Sequence, residues 1–333
     1  MSGQDVPQLE LAQVLGQLPQ RTCPDLIVGT NTADDAGVYR ISDELALVQT
    51  IDIFPPVVDD PFDYGDTGRP ACPDAAGLDG GDVICVMNAV GFPVDKLPHA
   101  TLAEILKGGA QAVADAGAYV VGGHTWTDSR VIYGMSVTGK VHPDRVFTLD
   151  SAQAGDKLLL TKPLGVGSIT NAVKPGKVDA AVLEAAVNSM KKLNLAASKV
   201  MREYDVHACT DITGFGLLGH LSNMIKESKV GAEIDSKGIS LLPGALDLAD
   251  AGLCSPMSFK NYRFLKDMLE LDSDIPKPLV DVLLDAETSG GLLISVAAND
   301  TCALLDELLS AGHNASLVGR ITKKYASPAI TVR

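Results

Sequence analysis

Asp34 and Asp35 stand side by side in Gly29-Thr30-Asn31-Thr32-Ala33-Asp34-Asp35-Ala36-Gly37-Val38, among small residues and just ahead of an apolar one. Carboxylates this close repel unless a cation joins them, and hard oxygen ligands of this kind suit Mg²⁺ carrying bound phosphates; a solvated Asp-Asp turn accounts for the same letters. Asp52 follows the apolar run 47–51 and precedes Ile53-Phe54. At a strand end such an acid is paired, metal-bound or exposed in a capped turn, and the metal option strengthens the same reading of Asp35. In Val120-Val121-Gly122-Gly123-His124-Thr125 two glycines follow a strand-like run. Glycine lets backbone N–H groups close on an anion and Thr125 adds a hydroxyl donor, while a plain turn with a structural histidine is the alternative. The fourth place is Cys209-Thr210-Asp211-Ile212-Thr213-Gly214-Phe215-Gly216-Leu217-Leu218-Gly219-His220. Asp211 or Thr213 could cap a helix there, yet Gly214, Gly216 and Gly219 weaken that helix and indicate close packing or ligand approach. Glu287-Thr288-Ser289-Gly290-Gly291 forms a second small-residue turn into a strand.

Neither of the two commonest nucleotide cradles, G-x-x-x-x-G-K-[ST] and a strand-turn-helix G-x-G-x-x-G, is present, and no Ser-His-Asp or Cys-His set stands out. A bound nucleotide is therefore expected to be held by aspartates through Mg²⁺, with Gly-rich turns on its phosphates. The charge balance agrees: 27 Lys and Arg against 42 Asp and Glu give a net charge of −15, which disfavours nucleic acid and anionic membrane surfaces and makes a cation necessary for any polyphosphate.

These residues need a scaffold, and 333 residues that are 46% apolar and 21% charged are enough for two folded domains. Residues 46–51, 83–90, 131–141, 157–160, 292–297 and 316–321 read as strands, alternating with helical segments in the manner of an α/β or α+β chain. Thr101 with Glu104 reads as a capping box opening a helix that Gly117 closes; 178–204 reads as one longer helix and 214–227 as another. The polar stretch 150–156 suggests a boundary, giving domains of 1–150 and 151–333. Cys23, Cys72, Cys85, Cys209, Cys254 and Cys302 are scattered, with no zinc or disulfide spacing, which fits a reducing cytoplasm. The chain shows no basic-then-apolar leader and no window near ~18 apolar residues, so neither secretion nor a membrane span is expected.

Taken in order, several segments resemble selenophosphate synthetase (selenide, water dikinase). They are Thr32-Ala33-Asp34-Asp35-Ala36, Thr50-Ile51-Asp52-Ile53-Phe54, Val58-Asp59-Asp60-Pro61-Phe62-Asp63-Tyr64-Gly65, Gly122-Gly123-His124-Thr125, Leu160-Thr161-Lys162-Pro163-Leu164-Gly165, the stretch 210–220 and Thr288-Ser289-Gly290-Gly291. The Thr-Asp-Ile-Thr-Gly-Phe-Gly-Leu-Leu-Gly-His and Pro-Phe-Asp-Tyr-Gly stretches are the most specific. The resemblance implies the two-domain fold of the aminoimidazole ribonucleotide synthetase superfamily, with the N-terminal domains pairing in a homodimer. It also implies an activity that converts ATP, selenide and water to selenophosphate, AMP and phosphate. By position, Asp35 and Asp211 would hold Mg²⁺ and Asp52 would contact the metal and ATP. Thr32, Ala33, Asp34, Gly123, His124 and Thr125 would line the nucleotide site, the last three from the partner subunit.

Two segments depart from the family pattern. Aligning Val6-Pro7 with the family's amino-terminal arm places Ser2 where a reactive Cys or selenocysteine is expected and Asp5 where a Lys is expected. An anion then replaces a cation that would meet phosphate, and a hydroxyl replaces a thiolate. After Gly65, the segment 66–81 keeps the family's length but not its helical composition: Ala71 and Ala75 stand at the family's Asn and metal-ligand Asp, Asp74 is displaced by one residue, and Pro70 and Pro73 oppose a helix. Preserved length with scrambled composition reads as a local reading-frame excursion, with a mis-set start at the amino terminus; divergence toward another role is the competing reading. An irregular segment is expected at 66–81.

Overall fold

A computed structural model of the chain describes residues 14, 17, 23–30, 34, 36–67, 81–323 and 327–333. The first sheet is built from β1 (Leu26–Val28), β2 (Gly37–Arg40), β3 (Ala46–Phe54), β4 (Asp82–Phe92), β5 (Tyr119–Thr127) and β6 (Ile132–Val141), in the order β1-β2-β3-β6-β4-β5. Its pairs are antiparallel except β4 with β5, which are parallel and therefore need a crossover. Helix α2 (His99–Asp115) supplies it and packs against α1 (Pro61–Thr67). The two helices approach through glycines: a Cβ on Gly65 would lie 1.9 Å from the Ile105 carbonyl oxygen, and one on Gly108 2.0 Å from that of Phe62.

One face of this sheet is packed and the other is open. Val48, Val86, Val90, Tyr133, Met135 and Val137 are buried, whereas Ile51 (62% exposed), Met87, Tyr119 (75%) and Val121 (61%) face outward. An open apolar face of this extent is a feature of interaction surfaces.

The second half contains β7 (Lys157–Leu160), α3 (Val166–Val173), α4 (Ala180–Lys191), α5 (Leu195–Met201), β8 (Val206–Asp211), α6 (Gly216–Ser228), β9 (Gly231–Ile234), α7 (Ala245–Asp250) and α8 (Pro256–Leu265). It continues with β10 (Leu269–Leu271), α9 (Lys277–Leu283), β11 (Leu292–Val296), α10 (Thr301–Ser310), β12 (Ser316–Thr322) and β13 (Ile330–Val332). Its seven strands are ordered β10-β13-β9-β12-β7-β11-β8. Both faces are covered, which is why β7 and β11 read as continuous apolar runs. Leu158, Leu160 and Leu293 point to the core under α6, and Leu159, Leu292, Ile294 and Val296 to the one under α5 and α10. Helices α3 and α4 contribute Val166, Ile169, Ala186 and Met190 to the core of the first sheet, so apolar packing crosses between the halves. The stretch 150–156 adjoins a tether: the Leu149 N–H donates to Asp34 (2.9 Å) and its carbonyl accepts the Ser228 hydroxyl (2.7 Å).

Several sequence expectations change at the level of elements. The Thr101–Glu104 capping box does not form: α2 starts at His99 after Pro98, no side chain bonds the cap, and Glu104 pairs with Lys107 at 2.7 Å. The fixed φ of Pro98, which is the N-cap, starts the helix three residues earlier. Gly117 does follow its end in the left-handed region, at φ 76°. The expected helix 178–204 is broken at 192–194, where the Asn194 amide turns away to donate to the Gly290 carbonyl at 2.8 Å. Most of 66–81 lies outside the described residues; Asp66 and Thr67 are the last turn of α1.

Candidate active site

Asp211 is the final residue of β8, in register with Leu292 of β11, and is buried. It does not cap a helix, because α6 begins only at Gly216, after Phe215. The chain beyond it is held firmly. Ile212 N–H donates to the Gly291 carbonyl and Glu287 N–H to that of Thr213, both at 2.9 Å. Thr213 N–H donates to His220 Nε2 at 3.1 Å. A backbone N–H only donates, so this nitrogen carries a lone pair and His220 is neutral; burial pushes its pKa down to about 4, which preserves that state at neutral pH.

Three loops meet at this end of the sheet: 161–165 after β7, 212–215 after β8 and 285–291 before β11. Glu287, only 3% exposed, reaches the start of α3, where its two carboxylate oxygens accept the N–H groups of Gly165 (2.7 Å) and Val166 (3.1 Å). The N-terminal end of that helix is thus occupied by a carboxyl group of the chain itself, so this Gly-rich turn is not offering those amides to a phosphate. Asp285 beside it accepts the Ser168 hydroxyl and the Ser255 N–H, each at 2.9 Å. Burial pushes Glu287 up to about 8 and Asp285 up to about 6; the amide and hydroxyl donors, and for Glu287 the Lys162 ammonium, oppose that rise. Lys162 is itself buried and donates to the Ser289 carbonyl at 2.9 Å. The sequence places Lys162 and Glu287 inside noted motifs without giving them a role and leaves Asp285 unmarked; the available signal was charge set against the apolar runs 158–160 and 282–284.

In the first half, Asp52 is half-buried and opposite Met135. It was expected at a strand end, but β3 continues to Phe54, whose carbonyl accepts the Tyr64 hydroxyl at 2.6 Å. Asp34, expected at the nucleotide, accepts the Leu149 N–H at 2.9 Å, a structural duty. Gly122-Gly123 is not a turn. Strand β5 continues through it after a register shift at Val121, with Gly123 against Asn88, where a Cβ would come within 2.4 Å of the Asn88 carbonyl oxygen. His124 stacks on Trp126, ring centroids 6.0 Å apart. Because β6 and β4 separate β3 from β5, three strand spacings put Asp52 and Gly123, His124 and Thr125 roughly 14 Å apart within one chain.

Thr32, Ala33 and Asp35 lie outside the described residues, as do Ser2 and Asp5. Among the described residues no group of three or more His, Cys, Asp or Glu side chains is arranged to hold a metal. A cleft of about 970 Å³ opens elsewhere, lined by Lys140, Arg145, Arg202 and His207 among others. It lies at the opposite end of β8 from Asp211, and two of these groups are engaged: Arg202 with Asp82 (3.3 Å), His207 with Asp156 (2.9 Å).

The fold belongs to a known class. Residues 33–141 match the family described as AIR synthase related protein, N-terminal domain, and residues 153–328 its C-terminal domain. Solved structures share it at 17% and 16% identity: tt0281 from Thermus thermophilus (TM-score 0.72, 99% of this chain and 97% of that one) and the hydrogenase maturation protein HypE in complex with ATP (TM-score 0.67, 97% and 90%). Within that class, the selenide, water dikinase of Pelobacter propionicus is 43% identical over 90% of this chain and 87% of its own length. That of Agathobacter rectalis is 42% identical over 96% and 93%. The chain belongs to the selenide, water dikinase family. Among the described residues no helix is long and apolar enough to cross a membrane.

Proposed function

We propose that the chain takes ATP, selenide and water to selenophosphate, AMP and phosphate. The observation that supports this most directly is Asp211, buried at the end of a rigid strand in the stretch 210–220 on which the resemblance is most specific. Asp35, Asp52 and Asp211 would hold Mg²⁺; carboxylates are the hard oxygen donors that ion prefers. When bound, Mg²⁺ would neutralise the polyphosphate and polarise the phosphoryl group under attack. Thr32, Ala33 and Asp34 line the nucleotide in this reading, with Gly123, His124 and Thr125 reaching it from the second subunit of a homodimer. The spacing of β3 and β5 favours that arrangement, as does the open apolar face of the first sheet, which dimerisation would cover. The residues that carry catalysis itself are not assigned. A cytoplasmic location is part of the same proposal.

A second reading is favoured by Ser2, Asp5 and Ala75: a catalytically silent homologue that binds nucleotide or pairs with an active subunit. Selenide-dependent formation of AMP and selenophosphate by the purified chain separates the two. Turnover only after Ser2→Cys, Asp5→Lys and restoration of a family-like helix over 66–81 would locate the defect in those segments. No turnover from the repaired chain would sink the enzymatic reading.

A further inference from the structure

The proposed metal ligands Asp52 and Asp211 lie in opposite halves of the chain, and their separation must be fixed by whatever joins the two halves nearby. Apolar packing of α3 and α4 and the ion pairs of Lys191 with Asp63 and Asp66 of α1 hold the halves together, and one path of hydrogen bonds runs directly between the two carboxylates' segments. Ile212 and Thr213, adjoining Asp211, are bound to Gly291 and Glu287. Between those partners Ser289 is buried and adopts φ 57°, a left-handed conformation costly for any residue with a Cβ. From that backbone its hydroxyl donates to the carbonyl oxygen of Thr67, the last residue of α1, at 2.9 Å. The Thr67 hydroxyl bonds back to the Tyr64 carbonyl (3.1 Å), and the Tyr64 hydroxyl holds Phe54, two residues beyond Asp52. The turn itself is locked from three sides: Lys162 on the Ser289 carbonyl, Asn194 on the Gly290 carbonyl and Glu287 on the first amides of α3.

A strained residue persists where its surroundings over-determine it, and glycine would meet this φ without strain. What serine adds is the hydroxyl. We propose that Ser289 is a positioning residue, a latch that ties the Asp211 loop to α1 and, through Tyr64, to the strand bearing Asp52, and so sets the spacing of the two carboxylates. The latch rests on the hydrogen bonds alone; its consequence for the metal rests on the function proposed above.

Ser289→Ala and Ser289→Gly in the full chain test it. Both remove the hydroxyl, but only glycine also relieves the backbone, so alanine is expected to lower Tm and glycine to hold it closer to the parent. In the ligand-free protein, amide exchange at the end of α1 quickens in both variants by roughly threefold to tenfold, the loss of one buried hydrogen bond. Mg-ATP affinity at limiting Mg²⁺ falls by a comparable factor in both, and the deficit closes at saturating Mg²⁺. Unchanged exchange in both variants overturns the latch. Faster exchange with undiminished affinity at every Mg²⁺ concentration overturns its role in spacing the ligands. If the parent chain binds no Mg-ATP, that role falls together with the functional reading, while the exchange result still decides the latch.

Discussion

Glu287 is a carboxylate set against helix amides in a space that excludes water, and the two effects oppose each other. Desolvation wins: its pKa of about 8 lies above the 4.5 of an exposed glutamate, and Asp285 at about 6 lies above 3.8. A carboxyl that binds its proton more tightly folded than unfolded contributes stability that is complete below the unfolded value and lost as pH rises through the folded one. Thermal stability from these two groups therefore declines between about pH 4 and about pH 8, with the Glu287 share falling latest. Glu287→Gln, which cannot ionise, is expected to flatten the upper part of that decline in a Tm-against-pH series. A variant whose slope matched the parent's would show that Glu287 is ionised throughout. None of this was legible in the sequence, since the residues that define the site of Glu287, Gly165 and Val166, lie about 120 positions away. The stretch around Asp211, by contrast, draws notice in the sequence because its pattern is local.

At the scale of elements, α1 and α2 touch backbone to backbone, with no room for a methyl group at Gly65 or Gly108. Gly65→Ala is expected to destabilise the chain by at least about 1–3 kcal/mol, the usual cost of overpacking, despite alanine's better helix propensity. Chemical denaturation reads this directly, and a stabilised variant would show that the helices can separate without cost. Covered strands such as β7 and β11, and the apolar stripe of α6, were legible because burial writes a local pattern of hydrophobicity. The full length of β5 was not, because Gly122-Gly123 resembles a turn, whereas the glycines admit the close approach of Asn88 in β4. The break between α4 and α5 was equally hidden, since its cause, the Gly290 carbonyl, lies in a distant turn.

At the scale of the whole molecule, the proposed pairing of two copies rests on an open apolar face on the first sheet and on about three strand spacings between the two segments proposed to share the nucleotide. Val121→Asp on that face should convert a dimer to monomer in sedimentation analysis and weaken nucleotide binding with it; a parent chain that sediments as a monomer would remove the basis for a shared site. The net charge of −15 sets the sharper requirement that ATP arrive with a cation. Calorimetric titration of ATP into the full chain, with Mg²⁺ and with a chelator, tests this most directly. Binding is expected only with Mg²⁺, and roughly tenfold to hundredfold weaker in Asp211→Asn, the loss of a charge-assisted contact. Equal ATP affinity in chelator, or an Asp211→Asn variant that binds Mg-ATP as tightly as the parent, would contradict a site built from aspartates acting through the metal.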